Sequence, residues 1–439
     1  MRRYVMIGSG VAAISAAEAI RQQFPSADIL LIGDEKYGYY SRPGLAYYLT
    51  GEIDEGQLYP WELQDFQRLN LQPLHARVTR IFRGEHQVEL HDGTLIPYDR
   101  LLIATGARAA RITVPGGEME GVLKLDDLND ARRILKSARR ARSAVVVGGG
   151  ITALEIVEGL RARGVKTHYF LRRDRYWSNV LDEIESRIVE QRLREEGVHV
   201  HYHTELAEII GKNGRVKGVR TTDDRSIKCE IVAVAIGIRP RKELAEGAGL
   251  KIDRGILVNA CLQTSNADIF AAGDVAQVYD PFTGKYVLDS LWGPARDQGH
   301  VAGLNMAGHN SVYRKAMAFN VTRLAGLTTT IVGTVGRGVD DDLIGIARGD
   351  SEIWRQLPDA ITAQDNFEIN RLRLLVGRKT LIGGLLMGDQ TLSRAVHHLV
   401  KEQIDITPIR DQLLKPNAPV ADLIASFWIE GENYATKQP

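Results

Sequence analysis

Cysteine is nearly absent from these 439 residues: only Cys229 and Cys261 are present. Two thiols cannot build a disulfide framework, a four-cysteine zinc site or a cysteine-held iron–sulfur cluster. Both fall in strand-like stretches and are expected to be core residues. Long apolar runs are also missing, with nothing near the roughly 20 residues that cross a bilayer. Nor does one sign of charge dominate, since 56 Lys and Arg face 55 Asp and Glu for a net charge of +1. Neither nucleic acid nor a membrane is therefore an expected partner. The start reads as strand and helix rather than as a leader, and with so few cysteines the expectation is a cytoplasmic protein.

What the chain does have is glycine, 43 residues of it, and their placement carries the argument. Arg3-Tyr-Val-Met-Ile7 reads as a strand, Gly8-Ser-Gly10-Val-Ala-Ala13 as a turn, and residues 11–24 as a helix. Asp28-Ile-Leu-Leu-Ile32 follows, a continuous apolar run suited to a buried parallel strand, ending at Gly33-Asp34. This is a βαβ unit with a Gly-x-Gly-x-x-Ala turn. Such a turn lets backbone approach a pyrophosphate at a helix N-terminus, while the acid at the second strand's end bonds an adenosine ribose. The arrangement recurs 140 residues later: strand 143–147, turn Gly148-Gly-Gly150-Ile-Thr-Ala153, helix 154–163 and strand 166–171.

The second copy lacks the acid. Its strand ends at Leu171 and is followed by Arg172, Arg173, Asp174 and Arg175. Guanidiniums there suit a 2′-phosphate, so NADPH is favoured over NADH; the alternative is a solvated basic turn with Asp174 reaching back to the ribose. Three further strands end in small residues, at Ala104-Thr-Gly106, at Gly237, and at Ala272-Gly-Asp274. The expected fold is α/β, with two Rossmann-like dinucleotide-binding domains, the second inserted in the first, plus a C-terminal α+β domain. Residues 1–111 and 239–310 would form the first, 112–238 the second and 311–439 the third.

Taken in order, Gly8-Ser-Gly10, Tyr40-Ser-Arg-Pro43, Ala104-Thr-Gly106, Gly148-Gly-Gly150 with Glu155, Gly237-Ile-Arg-Pro240 and Ala272-Gly-Asp274 resemble the pyridine nucleotide–disulfide oxidoreductase group of FAD/NAD(P) flavoproteins. The branch most resembled is that of rubredoxin and ferredoxin reductases, NADH oxidases, and the flavoprotein region of assimilatory nitrite reductase. The resemblance spans residues 3–335. It implies FAD and NAD(P)H as cofactors and hydride transfer to the flavin. By it, Gly8, Gly10, Ala13 and Asp34 would hold the FAD pyrophosphate and ribose, Arg42 would lie along the FAD, and Val78 would touch its adenine end. Ala104, Thr105 and Gly106 would close on the cofactor, with Gly237, and with Gly273 and Asp274 at the ribityl chain. Gly148, Gly150 and Glu155 would place the nicotinamide, while Arg172 and Arg173 are the phosphate candidates that the basic turn itself supplies. Arg42 and Glu155 merely pairing in a surface cleft is the plainer alternative.

The departures matter. NADH oxidases resemble this segment but carry a redox cysteine before Gly-Leu, where this chain has Pro43. Ferredoxin-reductase relatives have a lysine where Tyr47 stands, so Tyr47 joins Glu155 as a candidate beside the flavin; core packing explains Tyr47 or Tyr48 equally well. The implied function is electron transfer from NAD(P)H through flavin to a small ferredoxin- or rubredoxin-type carrier or a nitrite-reductase-like partner. An oxygen-reducing oxidase and a redox-sensing flavoprotein are the alternatives. Residues 131–175 hold twelve Lys and Arg against three Asp and Glu, a patch that could steer an acidic iron–sulfur or rubredoxin-type acceptor, solvated helix surface plus the nucleotide's phosphate grip being an equal alternative. His199, His201 and His203 alternate as they would along one strand face, and no metal is expected there. Asp340-Asp341-Asp342 reads as a loop. Trp354 and Trp428 are apolar anchors read first as core within the chain; an interface with a second copy is the alternative, which makes a homodimer a candidate assembly.

Overall fold

The computed structural model describes residues 2–281, 283–333, 335, 371–415 and 418–435. Asp340–342 and Trp354 lie outside them. Two compact units emerge: residues 2–167 with 205–316 form one, and 168–204 with 317–335 and 371–435 the other. The fold class expected from the sequence is borne out, with mixed α/β structure built on parallel sheets.

In the first unit, Arg3–Ile7 is flanked in parallel by Asp28–Gly33 and Arg100–Ile103. Gln72–His75 and Ile269–Ala271 complete a five-stranded sheet at its two edges. Tyr4, Val5, Met6 and Ile29 are all buried, which is why these strands read as apolar runs instead of alternating. A second parallel set joins Ser143–Val147 to Ile231–Val234, and that strand to Val122–Leu123. The helix Leu128–Ala138 turns Leu128, Ala131, Ile134 and Ala138 inward and is N-capped by Asp127, whose carboxylate accepts from Asp130 N at 2.8 Å.

The helix after the first glycine turn, Val11–Gln23, lies against Trp292–Met306 with almost no space between backbones. A Cβ at Gly299 would sit 2.1 Å from the Ala12 carbonyl oxygen, and one at Gly303 would sit 2.4 Å from that of Ala16. Only glycine permits this approach, and it locks the two helices against each other.

In the second unit, residues 168–170 of the strand Lys166–Phe170 pair in parallel with His199–His201. An antiparallel sheet runs in the order Phe319–Leu324, Leu327–Gly333, Leu381–Met387, Arg371–Val376. The helix Ser393–Lys401 shares a core with this sheet, Val396, Leu399 and Val400 clustering with Val332, Leu381 and Leu386. No helix among the described residues is long and apolar enough to cross a membrane.

Two expectations need correction. His203 is not on the strand: pairing ends at His201, and His203 turns out of it with φ +46°. His168 takes its place, its Nδ1 3.0 Å from His201 Nε2 and its ring stacked on His199 at 4.9 Å. Cys261 is likewise not core. It sits half-buried in a turn, its Sγ 3.5 Å from Asn310 Oδ1, because the backbone there bends around Asn259. Cys229 is buried as expected, and burial pushes its thiol up to about 12.

The helix contact makes a direct prediction. Gly299→Ala should destabilise the protein by about 1–3 kcal/mol, since backbone rather than a flexible side chain must move. Thermal unfolding monitored by circular dichroism reads this as a fall of several degrees; an unchanged midpoint would mean the two helices are free to separate.

Candidate functional site

The first glycine turn is a strand end forced close to its neighbour. Gly8 has φ +120°, and a Cβ there would lie 2.2 Å from the Ala104 carbonyl oxygen. Gly8 N donates to Ile32 O at 2.7 Å, tying the turn to the second strand as well. Gly10 then N-caps the helix with no side-chain cap, no acid follows in the first turn, and a Cβ at Gly10 would meet nothing within 4 Å. The first N–H groups of the helix are left without a capping side chain beside open space, a site for an anion. Ala13, fully buried, lets the helix lie flat on the strand.

That space is a cavity of about 620 Å³ at the carboxyl ends of the strands. Gly8, Gly10, Asp34, Arg42 and Val78 line it, together with Ala104, Thr105, Gly106, Gly273 and Asp274. Gly106 takes φ +66° and Gly273 φ +79°, and both are braced from behind. Arg241 N donates to Gly106 O at 2.9 Å, and Gly273 N donates to the buried Gln298 Oε1 at 2.8 Å. Thr105 Oγ1 donates to Arg241 O at 2.9 Å.

The charges around the cavity form a connected set. Arg42 pairs with Glu35, not Glu155, and donates to Asp126 O at 2.8 Å while lying over the Tyr40 ring. Tyr40 donates its hydroxyl to Glu35 Oε2 at 2.7 Å; burial pushes that phenol up, which keeps it a donor. Arg77 stands 3.7 Å from Asp34, and Arg241 stands 3.5 Å from Asp126 and 4.0 Å from Asp34. Glu35, Asp126, Arg241, Ser290 and Trp292 also line the cavity and were missed in the sequence. Glu35 directly follows Asp34 and Arg241 directly follows Pro240, so both could have been found; nothing marks Asp126.

The second turn repeats the geometry of the first. Gly148 has φ +148°, and a Cβ there would lie 2.2 Å from the Ala235 carbonyl oxygen. Gly150 N-caps Ile151–Ala162, again without a capping side chain or an acid in the first turn. Glu155 is buried on this helix. The helix Leu45–Thr50 packs on it, so that a Cβ at Gly159 would lie 2.7 Å from Leu49 Cβ. Tyr47 is half-buried on Leu45–Thr50, and the Tyr48 hydroxyl is used on Glu55 at 2.9 Å. Gly237 has φ +116° just before Ile238–Pro240. Tyr47, Gly148, Gly150, Glu155 and Gly237 do not line the 620 Å³ cavity. Arg172 and Arg173 are exposed in a loop of the second unit.

The basic patch is partly neutralised. Arg132 binds Glu55 and lies 4.5 Å over Tyr37, and it holds the Glu55 carboxyl below the usual range. Arg133 reaches Asp130, leaving Lys136, Arg139, Arg140 and Arg142 exposed. Among the described residues no group of three or more His, Cys, Asp or Glu could hold a metal ion.

The family profile of the pyridine nucleotide-disulphide oxidoreductases matches residues 2–299, and the chain belongs to that family. Rhodocoxin reductase of Rhodococcus erythropolis is 34% identical over 354 residues, covering 78% of this chain and 82% of that protein. Rubredoxin-NAD(+) reductase of Ectopseudomonas oleovorans is 31% identical over 286 residues, 64% and 74% of the two chains. The solved ferredoxin reductase for the CYP199A2 system of Rhodopseudomonas palustris superposes with a TM-score of 0.82 at 24% identity, over 96% and 99% of the two chains. The chain is an FAD-dependent NAD(P)H oxidoreductase.

The cavity fits such a cofactor. Its volume lies in the range of small-molecule sites, its glycine turn has room for no Cβ at Gly8, and an open helix N-terminus faces it. Ser290 Oγ and Arg241 Nε, on two lining residues, are buried polar atoms without a hydrogen-bond partner among the described residues. Because the two turns share one geometry, matched substitutions should separate their work. Gly8→Ala should lower the flavin content of the purified protein about tenfold or more, whereas Gly148→Ala should keep the flavin and slow its reduction by nucleotide by a similar factor. Absorbance at 450 nm and stopped-flow bleaching read the two. Flavin loss in both variants alike would contradict the division.

Proposed function

We propose that the chain takes a hydride from NADPH and passes electrons to a small iron–sulfur or rubredoxin-type carrier. Residues 1–111 and 239–310 hold FAD, with the pyrophosphate at Gly8 and Gly10, the ribose at Asp34, the adenine end at Val78 and the ribityl chain at Asp274. Residues 112–238 hold the nucleotide at Gly148 and Gly150, with Glu155 and Tyr47 bordering the reacting rings. Bound flavin accepts two electrons as hydride and can release them singly. The protein's own part is to orient the two rings, exclude water and set the charge around them.

The observation that carries this reading is the chain's thiol chemistry. Pro43 stands where a thiol-using relative would place cysteine, Cys229 is buried with a raised pKa, and Cys261 is 3.5 Å from an asparagine oxygen. Within these residues no thiol relay stands between flavin and acceptor. The names of the rhodocoxin and rubredoxin reductases support a small carrier as that acceptor. The exposed Lys136, Arg139, Arg140 and Arg142 suit an acidic one.

Asp174 supports NADPH. Its carboxylate is 3.0 Å from Arg175 Nη1, which favours a salt bridge within the loop over a reach back to a ribose. Arg172 and Arg173 are exposed just after a strand that ends without an acid. Anaerobic reduction should therefore be more efficient with NADPH than with NADH. Replacing both arginines (R172A/R173A) should raise KM for NADPH about tenfold or more, roughly 1.4 kcal/mol of lost binding. Faster reduction by NADH in the unaltered protein would overturn the NADPH assignment. Fast oxygen consumption without a carrier would instead favour an oxidase.

A further inference from the structure

The loop that carries Arg172 and Arg173 is held in place by the C-terminal sheet. It joins the strand Lys166–Phe170 to the helix Glu183–Glu195. Arg172, Arg173 and Asp174 are exposed at its start, whereas Tyr176, Trp177, Val180 and Leu181 are buried. Its backbone is pinned at successive points. Arg173 O accepts from His203 N at 3.2 Å, Tyr176 O from Ser186 Oγ at 2.7 Å, and Tyr176 N donates to Glu190 Oε1 at 2.7 Å. Trp177 sits at φ +47°, a conformation that a bulky side chain keeps only when its surroundings over-determine it.

Two arginines on one face of the strand Arg371–Val376 complete the support. Arg373 grips Glu185 with two prongs, Nε to Oε1 at 2.7 Å and Nη2 to Oε2 at 2.9 Å. The same Nη2 donates to Val180 O at 2.9 Å, inside the loop, and Nη1 donates to Val335 O at 2.8 Å. Arg371 donates to Asp182 Oδ2 at 2.9 Å. Asp182 is the helix N-cap: its Oδ1 accepts from Glu185 N, and its own N donates to Glu185 Oε2, each at 2.8 Å. Glu185 is fully buried, so its pairing with Arg373 matters: an unpaired carboxylate there would be costly. Helix start and loop are thus fastened together by side chains some 190 residues away in sequence.

We propose that Arg371 and Arg373 are positioning residues for nucleotide selection, holding residues 171–182 so that Arg172 and Arg173 are presented to the 2′-phosphate of NADPH. The inference rests on the reading of those two arginines as the phosphate grip. A guanidinium gains from a phosphate only in so far as its backbone is already in place, because ordering a loop at binding subtracts from affinity. NADH has no 2′-phosphate and does not draw on this ordering.

The test compares kcat/KM for NADPH and NADH in R371Q, R371K and the double variant E185M/R373M, which removes the buried pair together. Flavin content and near-ultraviolet circular dichroism serve as controls of folding. The ratio of NADPH to NADH efficiency should fall about tenfold in R371Q and E185M/R373M, through KM for NADPH, and recover in part in R371K. A role in stability alone would leave that ratio unchanged in variants that keep their flavin, and would overturn the proposal. Should E185M/R373M not fold, R371Q against R371K decides. R172A/R173A separates the two readings. If it leaves KM for NADPH unchanged, the phosphate grip itself is wrong; if it raises KM while the Arg371 and Arg373 variants keep the ratio, only the positioning role fails.

Discussion

Two close contacts between backbones organise the first unit. Where the strand Arg3–Ile7 ends, Gly8 passes so near the Ala104 carbonyl that no side chain fits, and Gly148 does the same against Ala235. The contact turns the chain sharply at a strand's carboxyl end and starts a helix that has no side-chain cap and no acid in its first turn. Everything that gives the site its anion-binding character follows from that turn. The tight contact of Gly299 and Gly303 with Ala12 and Ala16 extends the same constraint to the far side of the helix.

Charge is arranged to suit. The positive end of the helix lies beside a set of arginines whose own carboxylate partners, Asp34, Glu35 and Asp126, line the same cavity. Arg42 and Tyr40 both converge on Glu35, so one buried-edge acid organises a cation, a phenol and the backbone of residue 126. A dianionic pyrophosphate entering such a site meets donors already held in place rather than donors that must be ordered. In the second unit, Arg373 and Glu185 apply the same economy to the loop 171–182.

Much of this was legible in the sequence because it is local. The glycine turns, the apolar parallel strands and the acid at residue 34 are patterns within about 30 residues, and backbone geometry demands those residue types there. What escaped was non-local or decided by a single torsion. Asp126 lies between the short strand Val122–Leu123 and the helix Leu128–Ala138 with no motif beside it, so nothing nearby in sequence signals the cavity, whereas Arg241 adjoins Pro240 and was overlooked. His203 looked like a strand residue until its backbone turned to positive φ, and Cys261 until Asn259 bent the chain beneath it. Arg371 and Arg373 alternate as ordinary strand residues do. Only the fold brings them to Asp182 and Glu185.

Flavin held at the first glycine turn is proposed as the one redox centre these residues provide. An anaerobic titration of the purified flavoprotein with dithionite tests it by counting electrons. Uptake of two electron equivalents per flavin, with no further consumption, is what the account predicts. Uptake of four would reveal a second centre such as a thiol couple, and would contradict it.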